Sequence, residues 1–163
     1  MYITNQTILL ILISLTGGIY DLKSTRIPNW LTLGTFFLAL LFNVFQLNLH
    51  GIVNCLLGFL VGMLLLFIPY LAGGMGAGDV KFLGALGSLV GFKDILLIFF
   101  YSAVCGLFLS LIWLIFTPGH LKFLITTGQV LPTVDKKQKV PYGIAISLGT
   151  ILYIMFGKEG LWQ

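Results

Sequence analysis

Residues 51–73 read GIVNCLLGFLVGMLLLFIPYLAG, a stretch without a single charged side chain. A transmembrane helix needs about 20 predominantly apolar residues to cross the roughly 30 Å hydrocarbon core of a bilayer. This stretch is long enough and apolar enough to do so. It predicts a membrane-spanning helix, and the fold class depends on how many similar stretches surround it.

Four further stretches have the same character, and a fifth is shorter. The predicted spans lie near residues 3–20, 30–49, 51–73, 95–116 and 141–157, with a shorter helix near 80–92. The first stretch has neither a basic start nor a small-residue cleavage site, so we interpret it as a retained helix and not as a signal peptide. We expect an all-α, polytopic membrane protein with about six transmembrane helices in a single transmembrane domain, residues 1–163.

The composition agrees with a membrane protein. Hydrophobic residues make up 58% of the chain and charged residues 9%, whereas a soluble domain is about 25% charged. The net charge of +4 comes from scattered basic residues. They form no face rich enough to neutralise a phosphate backbone, so nucleic acid is not an expected partner.

The basic residues also predict the topology. Cytoplasmic loops of membrane proteins are enriched in lysine and arginine. With the N-terminus outside, seven of the nine basic residues fall on the cytoplasmic side, namely Lys23, Arg26, Lys81, Lys122, Lys136, Lys137 and Lys139. The long loop before the last helix, residues 117–140, is then cytoplasmic. We expect a multi-pass protein of the inner (plasma) membrane.

The chain has only five acidic residues, and two of them stand out. Asp94, Asp135 and Glu159 lie in predicted loops beside lysines, and we interpret them as solvated charges. Asp21 and Asp79 lie at the polar edges of very apolar segments, both on the predicted cytoplasmic side. An acid beside hydrocarbon is costly enough to be a functional candidate.

Two carboxylates can hydrolyse a peptide bond if the fold brings them together. Held close, they do not both ionise easily, so one stays protonated while the other acts as a base. The ionised aspartate takes a proton from water, and the neutral one hydrogen-bonds the scissile carbonyl oxygen. Asp21 and Asp79 therefore predict a protease working at a membrane surface.

Each aspartate also has a purely structural interpretation. Asp79 follows Gly76-Ala77-Gly78, whose glycines permit unusual backbone conformations and close approaches, but Gly-Asp before an apolar run is also an ordinary helix N-cap. Asp21 ends the first helix, where the helix dipole disfavours a negative charge. A pairing with Lys23 or Arg26 would offset that cost.

Other chemistry finds little support in the sequence. Cys55, Cys105, His50 and His120 are isolated, with no Cys-x-x-Cys or His-Glu-x-x-His spacing, so we expect no metal, no cofactor and no disulfide. The small-xxx-small pairs, Gly58 with Gly62 and Gly87 with Gly91, are predicted to bring helices together within the chain.

Three motifs together resemble those of the type IV prepilin peptidases, integral-membrane aspartyl proteases of bacteria and archaea. They are Asp21 with Arg26-Ile27-Pro28-Asn29, then Gly76-Ala77-Gly78-Asp79-Val80-Lys81, and Val140-Pro141-Tyr142-Gly143. The resemblance implies that Asp21 and Asp79 are the catalytic pair. It further implies residues that bind substrate or shape the site: Gly76, Gly78, Lys81, Arg26, Pro28, Asn29, Pro141, Tyr142 and Gly143.

The same resemblance implies a substrate. Such enzymes remove a short, basic, cytoplasmic leader from prepilin-like proteins, usually after a glycine, so the expected partners are a prepilin-like substrate and membrane lipids. Larger members also carry an N-terminal region with paired Cys-x-x-Cys motifs and methylate the new N-terminus. Because this sequence shows neither, we expect peptidase activity without methyl transfer.

Three alternatives remain open at this point. Presenilin-type proteases share Tyr-Asp and GxGD motifs, but they have about nine spans and a Pro-Ala-Leu motif that this sequence does not contain. A small proton- or ion-coupled transporter would use the same two acids, though a translocation path favours acids near the membrane midplane. A non-catalytic scaffold for pilus assembly would need neither carboxylate.

Overall fold

The protein is helical throughout the part that the structure describes. The computed structural model describes residues 5–24, 27–45, 49–116 and 142–157. Within these ranges the helices are α1 (Asn5–Ser24), α2 (Asn29–Phe45), α3 (Leu49–Leu71), α4 (Ala77–Val90), α5 (Phe92–Phe116) and α6 (Tyr142–Leu152), and α6 continues as a π-helical turn, Tyr153–Gly157. The all-α prediction is confirmed.

Within the described ranges, three helices are long and apolar enough to cross a bilayer: Gln6–Ser24, Leu49–Leu71 and Phe92–Ile112. The helices Asn29–Phe45 and Tyr142–Gly157 are apolar but shorter. The predicted short fourth helix is α4, at 14 residues. The predicted long loop, residues 117–140, lies outside the described residues.

Large apolar side chains on the outside of the bundle fit a membrane protein. They lie on several helices and include Leu33, Phe37 and Leu41 of α2, Leu60, Leu64 and Ile68 of α3, and Phe100, Leu107 and Phe108 of α5. In water such surfaces would be an aggregation hazard. Lipid chains are the solvent that suits them.

Helix α4 forms the centre of the bundle. Its side chains Phe82, Leu83 and Leu86 are fully buried, and its backbone lies directly against α3. A β-carbon at Gly58 would collide with the carbonyl of Gly87, and one at Gly87 with the carbonyl of Gly58. Small residues let helix backbones approach this closely. The prediction that these glycines join helices within the chain is confirmed.

Helix α6 packs along α1 through hydroxyl groups as well as apolar contacts. The Ser147 hydroxyl donates to the carbonyl of Ser14 at 2.6 Å, and the Ser14 hydroxyl donates to the carbonyl of Ser147 at 3.2 Å. Both serines are buried. One turn further along α1, a β-carbon at Gly18 would lie 2.6 Å from the Ser147 hydroxyl oxygen. These contacts set the register of α6 against α1.

Candidate active site

Asp21 lies in the last turn of α1 and is almost completely buried, with 3% of its surface exposed. Its carboxylate is held from another helix. The backbone N–H of Gly143 donates to Asp21 Oδ2 at 2.6 Å, and the N–H of Ile144 also faces this carboxylate. Both amides belong to the first turn of α6, where helical N–H groups have no partner within their own helix.

This contact offsets the cost of placing an acid at the C-terminal end of α1. The sequence suggested Lys23 or Arg26, but the bonds found come from the backbone of α6. Lys23 is exposed, and Arg26 lies outside the described residues. The positive end of the α6 dipole and its free amides compensate a buried negative charge. Asp21 therefore faces two dipoles, an unfavourable one from α1 and a favourable one from α6.

Gly143 has no room for a side chain. A β-carbon there would lie 2.8 Å from Asp21 Oδ2 and 2.9 Å from its Cβ and Cγ, whereas ordinary contact begins near 3.4 Å. A glycine at this position allows the amide to reach the carboxylate. The predicted role of Gly143 in shaping the site thus has a physical basis in this contact.

Asp79 lies in the first turn of α4 and is also buried, with 8% of its surface exposed. Its Oδ2 accepts the N–H of Gly76 at 3.1 Å, and its own N–H donates to the carbonyl of Gly76 at the same distance. This is one half of a capping box, since glycine has no side chain to complete it. Asp79 is therefore the third residue of the helix, and Gly76 is the N-cap.

The glycines before Asp79 act differently from what the sequence suggested. Gly76 has an ordinary extended backbone, with φ −83° and ψ 148°. The positive φ that turns the chain between α3 and α4 belongs to Gly73, at 78°. Gly78 provides a close approach instead, because a β-carbon there would lie 3.3 Å from the backbone nitrogen of Ile27. The start of α4 thereby packs on the segment that follows α1.

Two contacts bring the carboxylates to the same end of the bundle. The Phe82 ring fills the space that a β-carbon at Gly17 would need, so α1 and α4 cross at this point. Asp21 lies one turn after Gly17, and Asp79 lies about one turn before Phe82. Because Gly78 meets Ile27 beyond the end of α1, both acids lie on the same side of the crossing.

Tyr142 connects the surroundings of the two acids. It is the first residue of α6, next to the Gly143 amide that holds Asp21, and it is within electrostatic range of Asp79. Its hydroxyl lies against α5 at Gly106, where a β-carbon would be 2.6 Å away. The sequence predicted Tyr142 as a site residue but gave no indication of Gly106 or Ile144.

Of the remaining predicted site residues, three lie in the described part of the chain and two lie outside it. Lys81 donates from Nζ to Asn29 Oδ1 at 3.2 Å, which ties the start of α4 to the start of α2. Pro28 is half-buried just before α2. Arg26 and Pro141 lie outside the described residues.

Asp94 corrects one of the sequence predictions. It is not a solvated loop charge but a half-buried residue in the first turn of α5, which begins at Phe92. The hydroxyl of buried Tyr153 faces its carboxylate. This pair lies at the far end of α4 from Asp79. Among the described residues, no group of three or more His, Cys, Asp or Glu side chains is placed to hold a metal ion.

Comparison with known proteins adds to this geometry. A sequence model described as the type IV leader peptidase family matches residues 8–111. The chain belongs to the type IV leader peptidase family. The matched residues include both Asp21 and Asp79, so the two buried acids lie within the segment by which this family is recognised.

Three curated relatives share the printed name "Prepilin leader peptidase/N-methyltransferase". The protein of Xanthomonas campestris pv. campestris is 30% identical over 155 residues, covering 91% of this chain and 48% of the relative. The Bacillus subtilis relative is 27% identical over 156 residues, covering 93% and 54%. The one from Pectobacterium carotovorum is 34% identical over 102 residues, covering 58% and 36%. This leader peptidase family member spans about half the length of the first two, and no solved structure matches it.

Proposed function

We propose that this chain is a membrane aspartyl endopeptidase that removes the leader from prepilin-like proteins at the cytoplasmic face of the inner membrane. One observation supports it above the others: two buried carboxylates, from different helices, lie at the same end of the bundle in a member of the type IV leader peptidase family. The chemistry requires such a pair, and each of the two acids has an identifiable source of stabilisation.

In the proposed reaction, Asp21 and Asp79 act on one water molecule and one peptide bond. One carboxylate accepts a proton as the water oxygen bonds the scissile carbonyl carbon, and the other, protonated, donates a hydrogen bond to the carbonyl oxygen. The resulting tetrahedral intermediate breaks at its C–N bond, and the leaving nitrogen takes up a proton. No metal and no covalent intermediate takes part.

The substrate class is also a proposal. The three relatives carry the word prepilin in their names, and this supports a prepilin-like substrate. We propose that the substrate presents a short basic leader followed by an apolar helix that remains in the bilayer. Only leader hydrolysis is proposed, since the two acids account for that reaction alone.

The test is co-expression with a candidate prepilin, followed by the size of the pilin on a gel. The wild-type chain should shorten the prepilin, and mass spectrometry should place the new N-terminus after the leader. Asp21→Asn and Asp79→Asn should each abolish the shift while accumulating in the membrane like wild type. Well-folded wild-type protein that cleaves no prepilin would favour an ion-coupled transporter or a scaffold.

A further inference from the structure

The N-terminus of α6 contacts Asp21 in a way that the two-carboxylate scheme does not use. Gly143 and Ile144 are the second and third residues of α6; the Gly143 N–H bonds Asp21 Oδ2, and the Ile144 N–H faces the same carboxylate. Asp79, in contrast, is bonded by Gly76 of its own capping turn. The orientation of Asp21 thus depends on a helix more than 100 residues away along the chain.

We infer that the first turn of α6 is the positioning element for Asp21, with Gly143 and Ile144 as positioning residues that act through their backbone amides. This inference rests on the proposed function, since it concerns how one of the two carboxylates is held for hydrolysis. Gly143 has no side chain, and the Ile144 side chain does not touch the reacting atoms in this account. The Gly143 amide engages Oδ2 of the carboxylate and thereby restricts its orientation.

Three contacts along α6 hold that turn in place. The Ser147 hydroxyl donates to the carbonyl of Ser14 at 2.6 Å and lies 2.8 Å from the carbonyl of Gly143, one turn earlier in α6. The Tyr142 hydroxyl lies against Gly106 of α5. The first turn of α6 is therefore packed against both α1 and α5, so its amides have a fixed position relative to Asp21.

The Ile144 amide can be removed without adding bulk. Because N–H groups in the first helical turn have no partner within the helix, proline at this position removes the amide that faces Asp21 and breaks no bond of α6 itself. Proline is tolerated in the first turn of a helix. Ile144→Ala is the matched control, since it truncates the same half-buried side chain but keeps the N–H.

Gly143→Ala makes the complementary change by adding bulk and keeping the N–H. Its β-carbon would lie about 0.5–0.6 Å closer to the carboxylate atoms than ordinary contact allows, so Asp21 must move. A displacement of about 1 Å can lower a rate roughly 100-fold. Gly84→Ala is the matched control: it crowds Met63 in the α3–α4 seam, at 2.6 Å from its Cγ, and contacts neither α6 nor the Asp21 carboxylate.

The experiment measures kcat and KM for prepilin cleavage by purified wild type and these four variants, with Tm as a check on folding. We expect Ile144→Pro and Gly143→Ala to lower kcat roughly 10-fold or more. KM should stay within about twofold, and both controls should keep kcat within about threefold of wild type.

Two outcomes would overturn the inference. One is an Ile144→Pro variant with the kcat of Ile144→Ala. The other is a Gly84→Ala variant that loses as much kcat as Gly143→Ala, because crowding between helices in general would then explain the loss. Asp21→Asn in the same assay tests the proposed function separately. If it is inactive while the amide variants are unaffected, the two-carboxylate mechanism stands without this positioning role.

Discussion

Gly62→Ala and Gly34→Ala are the same substitution in two helices, and the structure predicts a loss of stability for the first and no loss for the second. At Gly62 of α3, a β-carbon would lie 2.7 Å from the carbonyl oxygen of Leu83 and 2.9 Å from the Cα of Gly84. These are backbone atoms of α4, which do not rotate away. At Gly34 of α2, a β-carbon would meet nothing within 4 Å.

The magnitudes follow from these two environments. Overpacking a close contact costs about 1–3 kcal/mol, and for a chain of this size 1 kcal/mol shifts Tm by about 2–4 °C. We therefore expect Gly62→Ala to lower Tm by about 2–12 °C. Gly34→Ala removes the helix penalty of glycine, about 0.8–1.0 kcal/mol, so its Tm should rise slightly or stay unchanged.

The assay is thermal unfolding of the purified protein in one detergent, followed by circular dichroism. A Gly62→Ala variant with wild-type Tm would mean that α3 and α4 do not pack backbone to backbone, and the central position of α4 would have to be revised. A large loss of stability for Gly34→Ala would contradict the lipid-facing position of that residue.

Three further predictions concern other parts of the molecule. Tyr153→Phe removes the hydroxyl that faces Asp94. We expect a loss of about 1–3 kcal/mol, or a fall in Tm of about 2–12 °C, with prepilin cleavage unchanged at a permissive temperature. Inactivity at that temperature would link this pair to the site. Lys81→Ala breaks an exposed bond to Asn29 and should leave Tm within about 2 °C, so a larger drop in thermal unfolding would contradict that exposure. Incubation with a chelator should leave prepilin cleavage unchanged, and loss of activity restored by added metal would contradict a metal-free mechanism.

The helices were predictable because a long apolar run consists of consecutive residues and can be recognised without knowing the fold. The glycine pairs that join α3 and α4 were predictable too, since small residues four positions apart in an apolar helix are typical of close helix–helix contacts. The two acids stood out because charge is rare in this chain and costly next to hydrocarbon.

The partners of these acids were not predictable from the sequence. The bond from Gly143 to Asp21 joins residues 122 positions apart. Every residue except proline has a backbone N–H, so a sequence pattern does not indicate which amide will bind a distant carboxylate. A search for side-chain partners therefore pointed to Lys23 and Arg26. Asp94 was misjudged for the same reason, because its partner Tyr153 lies in another helix and its neighbour Lys93 suggested a solvated pair.

The central claim is that Asp21 and Asp79 together perform the hydrolysis. The most direct measurement is the rate of prepilin cleavage by purified Asp21→Asn and Asp79→Asn, with Asp94→Asn as a control for the same change at a half-buried acid away from the site. The account predicts that each of the first two loses at least about 100-fold in rate, while Asp94→Asn stays within about threefold of wild type. Cleavage by either Asp21→Asn or Asp79→Asn within tenfold of the wild-type rate would contradict it.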